Sequence, residues 1–132
     1  MNMDKLKVFI SIPMKGKNST EIKKEIEKEK ENIRKFIATH GYKGKKEYNL
    51  EFLSGFVKLH EDSDIRNMSL CYLGVSLQKL AAADVIWLGE CGEDARGCVM
   101  EATAARLYGT PFLQDISLPD LEKFLENKEE YK

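Results

Sequence analysis

The sequence predicts one α/β domain built on a doubly wound parallel sheet, and three observations carry that expectation. Short apolar runs of strand character alternate with stretches of helical periodicity, and such alternation forms right-handed crossovers that put helices on both faces of a parallel sheet. The run DVIWLG at 84–89 is apolar almost throughout, as a strand buried on both faces must be. A chain of 132 residues suffices for one domain with a real core and is too short for two ordinary ones. The expected architecture is a three-layer sandwich of about four to five strands, spanning residues 1–132 with a frayed tail over 126–132.

Each element has its own signal. LKVFISIPM, at 6–14, is a β-rich apolar run that stops at Pro13. The Gly- and Lys-containing KGKNSTE follows, with Asn18 three residues before Glu21, the spacing of a capping box. From there Ile22, Ile26, Ile33, Phe36 and Ile37 recur on one helical face until Gly41, and the intervening Glu and Lys residues form a solvated face. Residues 42–47 read as a polar connection, YNLEFLSGFV (48–57) as a second strand with a Gly-marked irregularity, and KLHEDSDIRN (58–67) as a polar loop. Over 68–83, Leu70, Leu73, Leu77 and Leu80 recur at helical spacing. After the strand at 84–89 comes a helix closed by Gly109, then TPFLQD (110–115) as a fourth strand and LPDLEKFLENKEEYK (118–132) as a last amphipathic helix. There are no internal repeats and no low-complexity stretches.

Composition bounds the partners. The 21 basic and 22 acidic residues leave a formal net charge of -1, and nothing in that balance suggests a nucleic-acid polymer as partner. Basic residues do concentrate early, at Lys15, Lys17, Lys23, Lys24, Lys28, Lys30, Lys43, Lys45 and Lys46, so a small anionic ligand near the N-terminal third stays open. Cys71, Cys91 and Cys98 are odd in number and form no C-x-x-C pair, which argues against a disulfide framework and a zinc knuckle and for reduced thiols in the cytoplasm. No signal peptide is recognised, and the apolar run at 6–12 is far too short to span a bilayer, so no membrane association is expected.

In open α/β sheets, ligands bind beyond the carboxyl ends of the strands. That rule selects two loops, Ile12–Ser19 and Gly89–Gly97. The first is no Walker A loop, because Ser11 stands where its first Gly belongs and Asn18 where its Ser or Thr belongs. Lys15, Gly16, Lys17 and Ser19 beside a helix start are still compatible with a phosphate, although Lys-rich loops are commonly just solvated. HEDSD, at 60–64, fits neither an EF-hand nor an H-E-x-x-H helix, and no metal is expected. Cys98 near a helix start has no His beside it in sequence, since His40 closes a helix and His60 lies in a loop. It reads as a small core residue.

Glu101 is different. It stands among Ala, Val, Met, Leu and Thr just past an acidic, Gly-containing loop, and an unpaired buried carboxylate costs several kcal/mol or is forced to protonate. Either it faces water or it is kept for chemistry. Its expected side-mates, Cys98, Ala104, Ala105 and Tyr108, are mostly small and leave room for a ligand. A carboxylate so placed suits attack on an electrophilic sugar carbon, with Asp94 or Glu93 as the second acid.

VFISIPMKGK, SLQKLAAADVIWLGE and EDARGCVMEATAARLYGTPF together resemble, over roughly residues 7–113, the nucleoside 2-deoxyribosyltransferase-like superfamily, most closely its small bacterial and phage branch. The resemblance implies a flavodoxin-like or Rossmann-like sheet and a nucleoside or nucleotide site that needs no cofactor. It implies that Glu101 attacks C1′ of the sugar and displaces the base, and that Gly97, four residues earlier, lets substrate approach. Asp94 lies one place from the family's acidic residue on that loop. Ser11, Ile12, Pro13, Met14, Lys15 and Gly16 would surround the sugar and any 5′-phosphate, and Gly89 would join the binding site from the second loop. A homo-oligomer, a dimer or larger, is also implied, because neighbouring subunits often complete the site. Two positions depart from the pattern. Ser76 stands where the family commonly has an Asp, eight residues before Asp84, and Phe9 replaces a Tyr that orients the nucleophile. A hydroxyl does not replace a general acid, leaving Asp62, Asp64 and Glu93 as possible substitutes. N-glycosidic bond cleavage or transfer is thus the leading expectation. A nucleotide-binding module without turnover, or an assembly domain in which Glu101 pairs with a subunit, are the rivals.

Overall fold

In the computed structural model, which describes residues 3–13, 17–56, 66–89 and 96–114, the first apolar run forms β1 (Lys5–Ser11) and the capped amphipathic segment forms α1 (Ser19–His40). β2 (Asn49–Ser54), α2 (Met68–Ala81), β3 (Val85–Leu88) and α3 (Arg96–Tyr108) follow. The three strands are parallel in the order β2-β1-β3, so the expected α/β architecture holds. The chain steps from β1 outward to β2 and then crosses back to β3 on the other side. That reversal makes the carboxyl ends of β1 and β3 the switch point of the fold.

Side-chain parity divides the core into two layers, because successive residues of a strand point to opposite faces. Leu6, Val8, Ile10 and Ile12, with Val85 and Trp87, pack against Ile22, Ile33 and Ile37 of α1. Phe9 and Ile86 pack instead against Leu80 of α2 and Ala105 of α3. Ser11 pairs with Leu88 and shares the face of Phe9, so parity delivers its hydroxyl to the α2/α3 side of the sheet. α1 begins and ends where its punctuation predicts: Asn18 Oδ1 accepts the Glu21 N–H at 2.9 Å, and Gly41 N–H closes on the Ile37 carbonyl at 2.8 Å.

Three expectations are corrected. The fourth strand is reduced to one parallel bridge between Ile86 and Phe112. Its ladder stops because the Gln114 side chain takes over the next positions: the amide accepts the Leu88 N–H at 3.0 Å and donates to the Leu88 carbonyl at 2.5 Å. Three strands, rather than four or five, therefore stand among the described residues. On α2, which ends at Ala81, Leu70 is 62% exposed, since the buried stripe runs through Ser76 and Leu80 and passes it by. Tyr108, expected beside Glu101, is 89% exposed at the last residue of α3. Among the described residues no helix is long and apolar enough to cross a membrane. The expected last helix and frayed tail lie outside the described residues.

Candidate functional site

The carboxyl ends of β1 and β2 meet at a buried carboxylate. Glu101 lies in the second turn of α3, on the face that also carries Cys98, Ala102 and Ala105, and only 7% of it is exposed. These small neighbours let α3 sit close to the sheet, which is why a charged side chain at this position meets the end of β1 instead of water. Ser11, the last residue of β1 and fully buried, donates its hydroxyl to Glu101 Oε1 at 2.7 Å. Ser76, on the buried stripe of α2, donates its hydroxyl to Glu101 Oε2. Each carboxylate oxygen thus receives one hydroxyl from a different element.

The electrostatics follow from this enclosure. Burial pushes the Glu101 carboxyl above the ordinary carboxylate range, because the charged form loses its hydration, while the hydrogen bonds from Ser76 and Ser11 pull in the opposite direction. Among the described residues no cation pairs with it. The two hydroxyls stabilise the charge without neutralising it, so the carboxylate is oriented and keeps lone pairs for chemistry. As a nucleophile or proton acceptor it would carry more basicity than a solvated glutamate.

β2 contributes through the absence of a side chain. A Cβ on Gly55, the residue after β2, would collide with Ser76 Oγ, reach 3.0 Å from Ser76 Cβ and sit 3.6 Å from Glu101 Oε2. Gly55 therefore allows the end of β2 to close over the Ser76–Glu101 pair. In the sequence this glycine reads only as a strand irregularity, and no local signal ties it to a residue 46 positions later.

The remaining candidates are dispersed. Ile12 turns its side chain into the α1-facing core, and Pro13 beside it is half-buried. Gly89 donates its N–H to the Ser11 carbonyl at 2.9 Å, which ties the end of β3 to the end of β1. Gly97 is exposed in the first turn of α3, with nothing within 4 Å of where its Cβ would be. Lys17 pairs with Glu25 of α1 at 2.6 Å, and Ser19 is exposed at the start of that helix. Phe9 lies in the core layer beneath Ser11. His40 stacks on Phe36 at the far end of α1. Asp94, Glu93, Met14, Lys15 and Gly16, together with Asp62, Asp64, His60 and Cys91, lie outside the described residues.

Among the described residues no group of three His, Cys, Asp or Glu side chains gathers as a metal ion would require. A cleft of about 400 Å³, bordered by Met3, Arg34, Tyr48 and Leu50, opens at the amino-terminal ends of β1 and β2. It lies at the opposite edge of the sheet from Glu101 and holds none of the chemistry described above. The chain matches no known protein-family model, no curated protein and no solved structure.

Proposed function

We propose that the protein cleaves or transfers the N-glycosidic bond of a nucleoside or nucleotide, with Glu101 as the nucleophile. The observation that carries this reading is a buried carboxylate, raised in basicity and held by two hydroxyls, at the switch point of a parallel sheet. In the proposed reaction a Glu101 oxygen bonds to C1′ of the sugar as the bond from C1′ to the base nitrogen breaks. The electron pair leaves with the base, which takes a proton from Asp94, Glu93 or water. The resulting glycosyl ester is then opened by water, giving free sugar, or by a second base, giving exchange.

The resemblance to nucleoside 2-deoxyribosyltransferases fits the arrangement in one respect that its departures concealed. Position 9 carries Phe, yet an orienting hydroxyl reaches the carboxylate from Ser11, two residues later on the same face of β1. Ser76, where a carboxylate would be usual, supplies a second such hydroxyl and leaves proton delivery to the acidic segment between β3 and α3. A homo-oligomer in the cytoplasm belongs to the same proposal.

The test is chromatographic detection of free base after incubation with ribo- and deoxyribonucleosides and their 5′-monophosphates, with and without an acceptor base. Glu101→Ala is expected to lower base release by about a thousandfold or more. A thermal shift from one of these ligands, without any product, would replace the proposal with a nucleotide-binding module.

A further inference from the structure

A second carboxylate is buried on the other side of the sheet. Glu29 of α1 is only 5% exposed, although its helix is otherwise lined with solvated Glu and Lys on that stretch. Its Oε1 accepts from Asn32 Nδ2 at 2.7 Å and its Oε2 from the indole Nε1 of Trp87, in β3, at 3.2 Å. The same Oε2 fills the space where Gly89 has no side chain: a Cβ there would lie 2.5 Å from it and 2.6 Å from Ile12 Cγ2. Gly89 in turn donates to the Ser11 carbonyl, and the Ser11 hydroxyl holds Glu101. The four residues form one chain of contacts across the sheet edge, from α1 to α3.

We propose that Glu29 is a positioning residue for the Glu101 site: from the α1 face, its carboxylate seats Trp87 and Gly89 at the end of β3, and through Gly89 it fixes the strand end that carries Ser11. Helix α1 needs no carboxylate here for its own sake, since an apolar side chain would bury at this depth without the cost of desolvating a charge. What the carboxylate adds is directional. It receives the Trp87 N–H, which would otherwise be buried without an acceptor, and it sets how closely the Gly89 backbone approaches α1. This role rests on the glycosidic reading only where activity is the readout.

The test uses Glu29→Gln, which keeps one carbonyl acceptor, and Glu29→Met, which keeps bulk without an acceptor. Two spectroscopic signals are read in the free protein: the Trp87 indole N–H resonance and the pH titration of the Glu101 carboxyl carbon. The indole signal is unambiguous because the sequence holds one Trp. With Glu29→Met the indole resonance is expected to move, and Glu101 to titrate at higher pH as the Ser11 hydroxyl loses its alignment; Glu29→Gln should fall between. Base release should drop in kcat about tenfold with KM little changed. Should Glu29→Met fail to fold, Gly89→Ala presses on the same contact from the other side and should shift the Glu101 titration the same way. An unmoved Glu101 titration in folded variants with an altered indole signal would overturn the proposal. That outcome counts against Glu29 whether or not the wild type releases base, so the two proposals fail separately.

Discussion

At the residue scale, the behaviour of Glu101 is a balance between desolvation and two hydroxyl donors, and each side of the balance can be removed. Burial raises its pKa in the folded state above the ordinary glutamate value, so the native protein holds this proton at pH values where the unfolded chain has released it. The contribution is therefore fully favourable below the unfolded pKa and is lost as pH rises through the folded one. Glu101→Gln has no charge to desolvate. Its stability relative to wild type, measured by urea denaturation, should accordingly rise as the pH increases above the ordinary glutamate value and level off above the raised folded-state one; a difference independent of pH would show that Glu101 is not desolvated. The hydroxyls act in the opposite sense. Ser76→Ala and Ser11→Ala each remove a hydrogen bond that favours the charged form, so the acid limb of the pH–rate profile should move to higher pH in both variants. A limb that stays in place in either variant would mean that the hydroxyl in question does not support the carboxylate in solution.

At the scale of elements, the strands and helices meet at the site where side chains are small. Gly55 is the clearest case, because the end of β2 reaches Ser76 only without a Cβ. Gly55→Ala must push Ser76 aside, and overpacking of this kind costs about 1–3 kcal/mol. The expected result is a lower Tm together with a loss of activity that is non-additive with Ser76→Ala, since both changes act on the same hydroxyl. Additive losses would separate Gly55 from the site. Much of the element structure is legible in the sequence for local reasons: Asn18 and Gly41 punctuate α1, and the apolar run of β3 admits no other reading than burial. What is not legible depends on partners distant in sequence. Glu29 reads as one more solvated Glu until Trp87, 58 residues later, supplies its donor. Leu70 reads as core from its spacing, but the stripe of α2 that meets the sheet is the one through Ser76, which packs under Gly55 and donates to Glu101. The fourth strand shortens because a side-chain amide can imitate a backbone, which no periodicity records.

At the scale of the whole molecule, the sheet separates two buried carboxylates and its carboxyl edge connects them, so the site belongs to the fold as a unit. Ser11, Gly55, Ser76, Gly89 and Glu101 come from five different places in the topology. No one segment carries the chemistry, which explains why Glu101 stands out in the sequence while most of its partners do not. The exposed apolar side chains of the helices flanking this site bear on assembly. Leu70 and Tyr72 of α2 and Met100, Leu107 and Tyr108 of α3 are large apolar side chains left exposed, with Leu107 at 65%. Aliphatic and aromatic surface on two helices packed against one another is what a second copy of the chain would cover in the proposed oligomer. Light scattering should then give a mass at least twice the 15.1 kDa of one chain. The double change Leu107→Lys and Tyr108→Lys, at positions that make no core contact, should shift that mass toward a single chain while leaving the circular dichroism spectrum unchanged. If base release falls in step with dissociation, the neighbouring copy completes the site; if it persists in the monomer, the elements gathered around Glu101 are sufficient. A monomeric wild type would remove the oligomer from the proposal and leave the chemistry of Glu101 to be judged on its own.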